Sequence, residues 1–265
     1  MSYKNKTIWI TGASSGIGES FAKSFYKEGA NLILSSRRVE ELERVKSELG
    51  GDDETIKILT VDLAEPASLK DKSKQAHELF GGIDVLVNNG GVSQRSLFAE
   101  TDLDTIRRLM EINFFGSVAL TRYVLPHMME KKSGHIIVTS SVAGKFGTKF
   151  RSGYAASKHA LQGIFDCIRQ EMYEYNVDVT MVCPGPIKTN ITQNSLTADG
   201  SSFGEMGNLH TSAMDADEMV RRIWNGITSR KEEIYISSPK ERLALLVKRI
   251  SPWLLNRILK RSKVV

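Results

Sequence analysis

The sequence predicts one α/β domain built on a doubly wound, seven-stranded, mostly parallel sheet with helices on both faces. Three observations carry this prediction. Short apolar runs without polar alternation recur along the chain, as expected of strands buried on both faces. Segments of helical period separate them, giving a β-α-β-α-β-α-β order over the first half. The first strand runs directly into a glycine cluster that opens a helix. The length of 265 residues, with 41% hydrophobic and 25% charged residues, suits a soluble domain with a sizeable core. We place the domain at 1–239 and a C-terminal extension at 240–265.

Residues 6–11 (K-T-I-W-I-T) read as the first strand, and the helix after the glycines shows its period through Phe21, Ala22 and Phe25 and closes at Gly29. The second strand is 31–36, followed by a charged helix at 39–49. A third strand at 56–61 ends at Asp62, and Glu65-Pro66 opens a helix running to Phe80. The fourth strand, 83–87, ends in N-N-G-G at 88–91. One helix is expected from 102 to 131, with Asn113 among Ile112, Phe114 and Phe115 and therefore buried and bonded. The fifth strand is 135–141. A helix starting near Tyr154 carries an apolar stripe of Leu161, Ile164, Phe165, Ile168 and Met172, which reads as core. Strands at 177–183 and 233–237 complete seven.

Glycines at 12, 16 and 18 lie between a strand and a helix, where a dinucleotide loop needs them. Glycine lets the backbone approach a pyrophosphate, and the helix N-terminus supplies N–H donors. In such folds an acid ending the second strand binds the adenosine ribose, whereas an arginine favours a 2′-phosphate. Here Ser36 takes the acid's place and Arg37 and Arg38 follow it. A guanidinium binds phosphate bidentately, so the expected cofactor is NADP(H). The alternative is that both arginines are simply solvated at a helix start.

Ser141 ends a strand at the edge where ligands bind in open α/β sheets. Tyr154 follows thirteen positions later, and Lys158 lies one helical turn beyond it on the same face. An ammonium near a phenol stabilises the phenolate, so the tyrosine pKa is expected to fall from about 10. A carbonyl oxygen between the Ser141 and Tyr154 hydroxyls would gain negative charge as hydride reaches its carbon. Two preplaced donors would stabilise that charge, with Tyr154 transferring the proton. Lys158 can also bind the nicotinamide ribose, and Asn113 is expected to hold a water linking Lys158 to solvent.

Taken together, T-G-A-S-S-G-I-G at 11–18, N-N-G-G at 88–91, Asn113, Ser141 and Y-A-A-S-K at 154–158 resemble the short-chain dehydrogenase/reductase family of classical type, across about residues 6–190. The resemblance implies a Rossmann-type fold and a catalytic tetrad of Asn113, Ser141, Tyr154 and Lys158. It implies cofactor contacts from Gly12, Ser14, Ser15, Gly16, Ile17 and Gly18, from Asp62 and Leu63 at the adenine, and from Asn89 and Gly90. Asn88 would stabilise the central sheet. Pro184, Gly185, Ile187 and Thr189 would hold the nicotinamide carboxamide. Two departures stand out: the usual N-N-A-G reads N-N-G-G, and no basic residue occurs at 13–15, which leaves cofactor choice to Arg37. The resemblance also implies a homodimer or homotetramer. The stretch N-S-L-T-A-D-G-S loosely resembles the branch related to steroid and retinal reductases, which implies a lipophilic carbonyl or alcohol substrate.

Residues 188–215 lack a period and suit a lid beside the site, with Phe203, Met206, Leu209 and Met214 lining a pocket or only anchoring the lid. The loop 142–153, with Lys145, Phe146, Lys149, Phe150 and Arg151, is expected to face it across the cleft. The net charge of +5 divides into +7 from the tail beyond Pro239 and −2 from the body, which argues against a nucleic-acid-binding body. The tail should form two short helices broken at Ser251-Pro252. It has three candidate placements: beside the substrate entrance, between subunits, or on an anionic membrane surface. Cys167 and Cys183 read as reduced core residues, the histidines show no metal-ligand spacing, and neither a signal core nor a membrane-length run is present. A cytoplasmic oxidoreductase, peripheral to a membrane if the tail binds one, is therefore expected. A non-catalytic dinucleotide-binding sensor or scaffold, or an isomerase or dehydratase on this fold, is the competing class. The intact tetrad argues against the sensor.

Overall fold

In the computed structural model, residues 2–204 and 213–261 are described. Met206, Leu209 and Lys263 lie outside them. Seven strands form one sheet: β1 (Thr7–Thr11), β2 (Asn31–Ser35), β3 (Ile56–Ile58), β4 (Val85–Asn88), β5 (Gly134–Thr139), β6 (Val177–Pro184) and β7 (Glu233–Ile236). Their order is β3-β2-β1-β4-β5-β6-β7 and every pair is parallel. The order reverses between β1 and β4, so a crevice opens there at the strands' carboxyl ends.

The strands lack polar alternation because both faces are covered. Ile8 and Ile10 of β1 join one core with Phe21, Phe25, Leu42 and Val45 of α1 (Gly16–Lys27) and α2 (Val39–Glu48). Trp9 points the other way, into a core with Leu69, Leu120, Val124, Leu161 and Phe165. Those residues belong to α3 (Pro66–Phe80), α5 (Gly116–Lys131) and α6 (Ser152–Glu171). Each such apolar side chain contributes about 1.5–3 kcal/mol on burial. The Trp9 indole N–H still donates to the Ser35 hydroxyl at 2.8 Å, so no donor is stranded.

Three elements differ from expectation. The single helix at 102–131 is α4 (Leu103–Met110), a π-turn (Glu111–Phe115) and α5. Its hydrophobic period is nearly continuous, which hides the one-residue widening. The third strand ends at Ile58, although the N–H groups of Leu59 and Val61 still bond the carbonyls of Leu34 and Ser36. A helix absent from the sequence reading, α7 (Ala216–Thr228), packs on α1. Asp215 caps it through the N–H groups of Asp217 and Glu218, and Met219, Val220, Ile223 and Ile227 are its buried stripe. The tail forms α8 (Pro239–Ile250) and α9 (Pro252–Arg261). No helix among the described residues is long and apolar enough to cross a membrane.

Candidate active site

The glycine loop is shaped by steric necessity. Gly16 has φ +58°, a left-handed backbone in which a side chain is strained, and a Cβ there would lie 2.7 Å from Thr189 Cγ2. A Cβ on Gly18 would sit 2.2 Å from the Gly12 carbonyl oxygen, inside backbone. Thr11 fastens the loop to the end of β4: its hydroxyl donates to the Val87 carbonyl (3.2 Å) and accepts the N–H groups of Asn89 and Gly90, both at 3.0 Å. Ser15, in the N-cap position of α1, makes no capping bond, so no side chain occupies the helix's first amides. Gly16 and Ile17 line the cleft there, an arrangement that fits a pyrophosphate.

At the adjoining end of the cleft, Arg38 donates to the Ser14 and Ser15 hydroxyls, both at 3.0 Å. Arg37 is exposed and lies 3.9 Å from the Asp62 carboxylate, while Asp62 also accepts the Ala64 N–H at 2.9 Å. Ser36 leaves this corner without a carboxylate at the end of β2. The departure at Gly90 has a steric counterpart. A methyl group there would approach Leu63 Cδ1 to 2.6 Å, so the Leu63 side chain fills the space an alanine would use.

β5 ends at Thr139, and Ser141 continues it in extended backbone, where its hydroxyl accepts the Ala143 N–H at 3.1 Å. The same hydroxyl donates to the Pro184 carbonyl at 3.4 Å, and its influence on the Tyr154 phenol is to lower that group's pKa. Lys158, one turn along α6, donates to the Thr139 carbonyl at 2.8 Å, with Nζ 5.8 Å from the Tyr154 ring centre. The expected fall in the tyrosine pKa is reversed here. Burial pushes Tyr154 above its ordinary value, with the Ser141 hydroxyl and the Arg151 charge only partly opposing it. Burial also lowers Lys158 to about 8, since the partner its ammonium meets among the described residues is a neutral carbonyl.

Asn113 is fully buried inside the π-turn, a helix irregularity that often marks functional sites. Its Oδ1 accepts the Val92 N–H (2.8 Å), and Nδ2 donates to the Val92 carbonyl (2.9 Å) and the Ser157 hydroxyl (3.0 Å). Ser157 in turn donates to the Tyr154 carbonyl at 2.8 Å. The side chain therefore ties the loop after β4 to the backbone of α6, and both its donors are taken. Asn88 bonds Thr121 of α5 at 2.8 Å, which anchors the end of β4.

Gln94 was not singled out from sequence, where one glutamine in a loop carries no signal. It is buried, and its Oε1 accepts the N–H groups of Gly153 (2.7 Å) and Tyr154 (3.3 Å). It thus caps α6, whose N-cap residue Arg151 supplies no side-chain bond. Its Nε2 bonds Ser96, Thr101 and Ser152. The backbone beside it pairs with Leu196 of the segment expected as a lid. Leaving these amides uncapped costs about 1–2 kcal/mol. Gln94→Leu is accordingly expected to lower kcat/KM by about tenfold with dinucleotide affinity within about threefold. Loss of both together would mean that only the fold had failed.

One cleft of about 780 Å³ gathers nearly all the expected residues: the loop from Gly12 to Ile17, Ser36 to Arg38, Asp62, Leu63, Asn89, Gly90, Ser141, Tyr154, Lys158, Pro184, Gly185, Ile187 and Thr189. Gly18 and Asn113 stand behind its wall. Of the loop expected opposite the lid, Phe146 and Arg151 line the cleft. Lys145 turns away to Glu233 (2.8 Å) and Lys149 to the Lys260 carbonyl (3.4 Å). Arg108 and Glu241 line it without having been expected. No group of three or more metal-ligating side chains occurs among the described residues.

A doubly wound sheet with a glycine loop at its crevice and a Ser-Tyr-Lys group on the adjoining strand and helix defines a nicotinamide-dinucleotide oxidoreductase. The comparisons with known proteins agree. The short chain dehydrogenase family model matches residues 6–200, and the chain belongs to the short-chain dehydrogenase/reductase family. "Dehydrogenase/reductase SDR family member 7B" of Mus musculus is 39% identical over 260 residues, covering 97% of this chain and 80% of the mouse protein. Two solved structures share the fold. A short-chain dehydrogenase/reductase from Burkholderia phymatum in complex with NAD has a TM-score of 0.83 at 21% identity, covering 100% of this chain and 98% of its own. An alcohol dehydrogenase from Thermococcus sibiricus complexed with 5-hydroxy-NADP has a TM-score of 0.75 at 24% identity, covering 88% and 96%.

Proposed function

We propose that this protein is an NADP(H)-dependent oxidoreductase acting on a lipophilic carbonyl or alcohol, with Tyr154 as the general acid/base. The observation that carries the proposal is the placement of two guanidiniums, Arg37 and Arg38, and the Ser141-Tyr154-Lys158 group in one cleft. The solved relatives include one bound to NAD and one to an NADP derivative, so the two arginines, with no acid at position 36, are what favour the 2′-phosphate. The cofactor would supply or accept the hydride.

Around the reacting carbonyl, Ser141 and Tyr154 donate to the oxygen as its charge grows. Burial keeps Tyr154 protonated near neutral pH, which is the form that gives a proton to the product alkoxide. Lys158 holds the ribose side of the cofactor and supplies the positive field that favours loss of that proton. The Asn113 side chain is committed elsewhere, so a water joining Lys158 to solvent would rest on the Asn113 backbone carbonyl. Val92, Ile112, Val142, Phe146 and Leu196 line the substrate end and favour an apolar substrate. Of the segment expected as a lid, described residues between 189 and 202 line the cleft and would close over it.

We assign the assembly as a homodimer or homotetramer through α5 and α6; Phe115 before α5 and Tyr123 on it are exposed. Cys183 is buried as expected, but Cys167 is exposed rather than in the core; a cytoplasmic setting remains part of the proposal.

The test is NADPH oxidation against a panel of aldehydes, ketones, steroids and retinoids, repeated with NADH. Tight NADPH binding without turnover on any of them would favour the sensor. The pH profile is a second check. A base lowered to about 8 is charged below that pH and neutral above it. Carbonyl reduction is therefore expected to be steady at pH 6–7 and to fall as pH rises through about 8, whereas alcohol oxidation, which needs Tyr154 deprotonated, rises with pH. A reduction rate flat to pH 9.5 would count against Lys158 as the field source.

A further inference from the structure

The tail helices have two different faces. Inward, Leu255 is 1% exposed and packs with Val142 and Phe146, with Ala244, Leu245, Val247 and Leu259 around it. Outward, Leu243, Leu246, Ile250, Trp253, Leu254 and Ile258 are 42–75% exposed. Their spacings of three, four, three, one and four residues set the stripe along both helices. A globular body has no reason to concentrate so many of its exposed large apolar side chains in sixteen consecutive positions.

The charges beside this stripe are of one sign. Lys240, Arg242, Lys248, Arg249, Arg257, Lys260 and Arg261 form no ion pair among the described residues. Some cations of the body are paired, as Arg44 is with Glu19, Glu41 and Glu48. The tail's one acid, Glu241, folds back on the Ser238 N–H at 2.7 Å to complete a capping box. Arg257 lies over the Trp253 ring, 4.8 Å from its centre.

We infer that α8 and α9 dock flat on an anionic lipid bilayer, with the six apolar side chains in the interface and the lysines and arginines on the headgroups. Charge decides between the occupants. A second copy meeting this face isologously would set like charges against one another. A nucleic acid would match the charge and leave the apolar stripe unpaired. An anionic bilayer matches both, and a tryptophan beside an arginine suits the headgroup level. The inward face touches Val142 and Phe146, two residues of the cleft wall, so docking puts lipid beside the substrate end. That last consequence rests on the lipophilic-substrate proposal; the docking itself does not.

The experiment is sedimentation of the full chain with phosphatidylcholine vesicles, with and without about one third phosphatidylserine. The variant is Leu246→Glu/Ile250→Glu/Trp253→Glu, at three exposed positions, with unchanged thermal melting and NADPH affinity as the check that it is folded. The wild type is expected to partition onto the anionic vesicles, and the variant at least about tenfold less. Raising salt from about 0.1 to 0.5 M should weaken wild-type binding severalfold. Trp253 emission should shift to the blue, since Trp9 is buried and Trp224 packs on the core. Equal partitioning of wild type and variant would overturn the inference. So would a result in which the variant only converts a dimer to a monomer and neither form binds vesicles, which would assign the face to a second copy. Salt-insensitive binding to pure phosphatidylcholine would overturn its anionic part. None of these outcomes depends on turnover, so the enzymatic proposal stands or falls separately.

Discussion

Tyr154→Phe is expected to lower carbonyl reduction by about 10³-fold or more while NADPH binds within about threefold of wild type. The substitution removes one oxygen and leaves the ring, so the packing of α6 and the Lys158 bond to Thr139 persist. What disappears is the proton donor and one of the two hydroxyls facing the developing oxyanion. Ser141 alone cannot replace it, because its hydroxyl is also drawn to the Pro184 carbonyl. Single-turnover reduction with prebound NADPH separates the chemical step from cofactor binding. Near-wild-type turnover on a proven substrate would remove Tyr154 from the mechanism.

The second large effect concerns cofactor choice. Arg37→Ala/Arg38→Ala is expected to raise the KM for NADPH by about 10²–10⁴-fold, because two charge-assisted contacts to a phosphate are worth about 1.5–3 kcal/mol each. The KM for NADH should move less than about threefold, since NADH carries no phosphate at that corner. The single variants should differ. Arg38 is already held on Ser14 and Ser15, so it is ordered before a ligand arrives, whereas Arg37 is exposed beside Asp62. Less ordering entropy remains to be lost at Arg38, and Arg38→Ala should have the larger effect. Parallel losses for both cofactors would mean that the arginines only shape the loop, and NADP preference would have to be abandoned.

Much of the sheet could be read from the chain because its causes are local. An unalternating apolar run ended by a turn is a buried parallel strand wherever it lies. The strands at 31–36, 83–87 and 177–183 needed only end corrections of a residue or two. Helix α7 carries local signals in the sequence, Asp215 as cap and Met219, Val220, Ile223 and Ile227 as stripe. The π-turn at Glu111–Phe115 shows a physical limit. One widened turn hardly changes the period, and its stabilisation comes from the Asn113 bonds to Val92 and Ser157, groups far away in sequence.

By itself, the sequence determined the strand-glycine-helix loop, because Gly16 and Gly18 answer to backbone sterics within a few residues of themselves. It also placed Ser141 at a strand end and Tyr154 and Lys158 one helical turn apart, and the family resemblance implied that the three share a site. Only the tertiary structure decided that Gln94 caps α6 and that one face of the tail packs beside the cleft. It alone decided that burial, not Lys158, dominates the Tyr154 phenol. These depend on which distant groups surround a side chain and on how much water they exclude, and no local pattern in the chain encodes that sum.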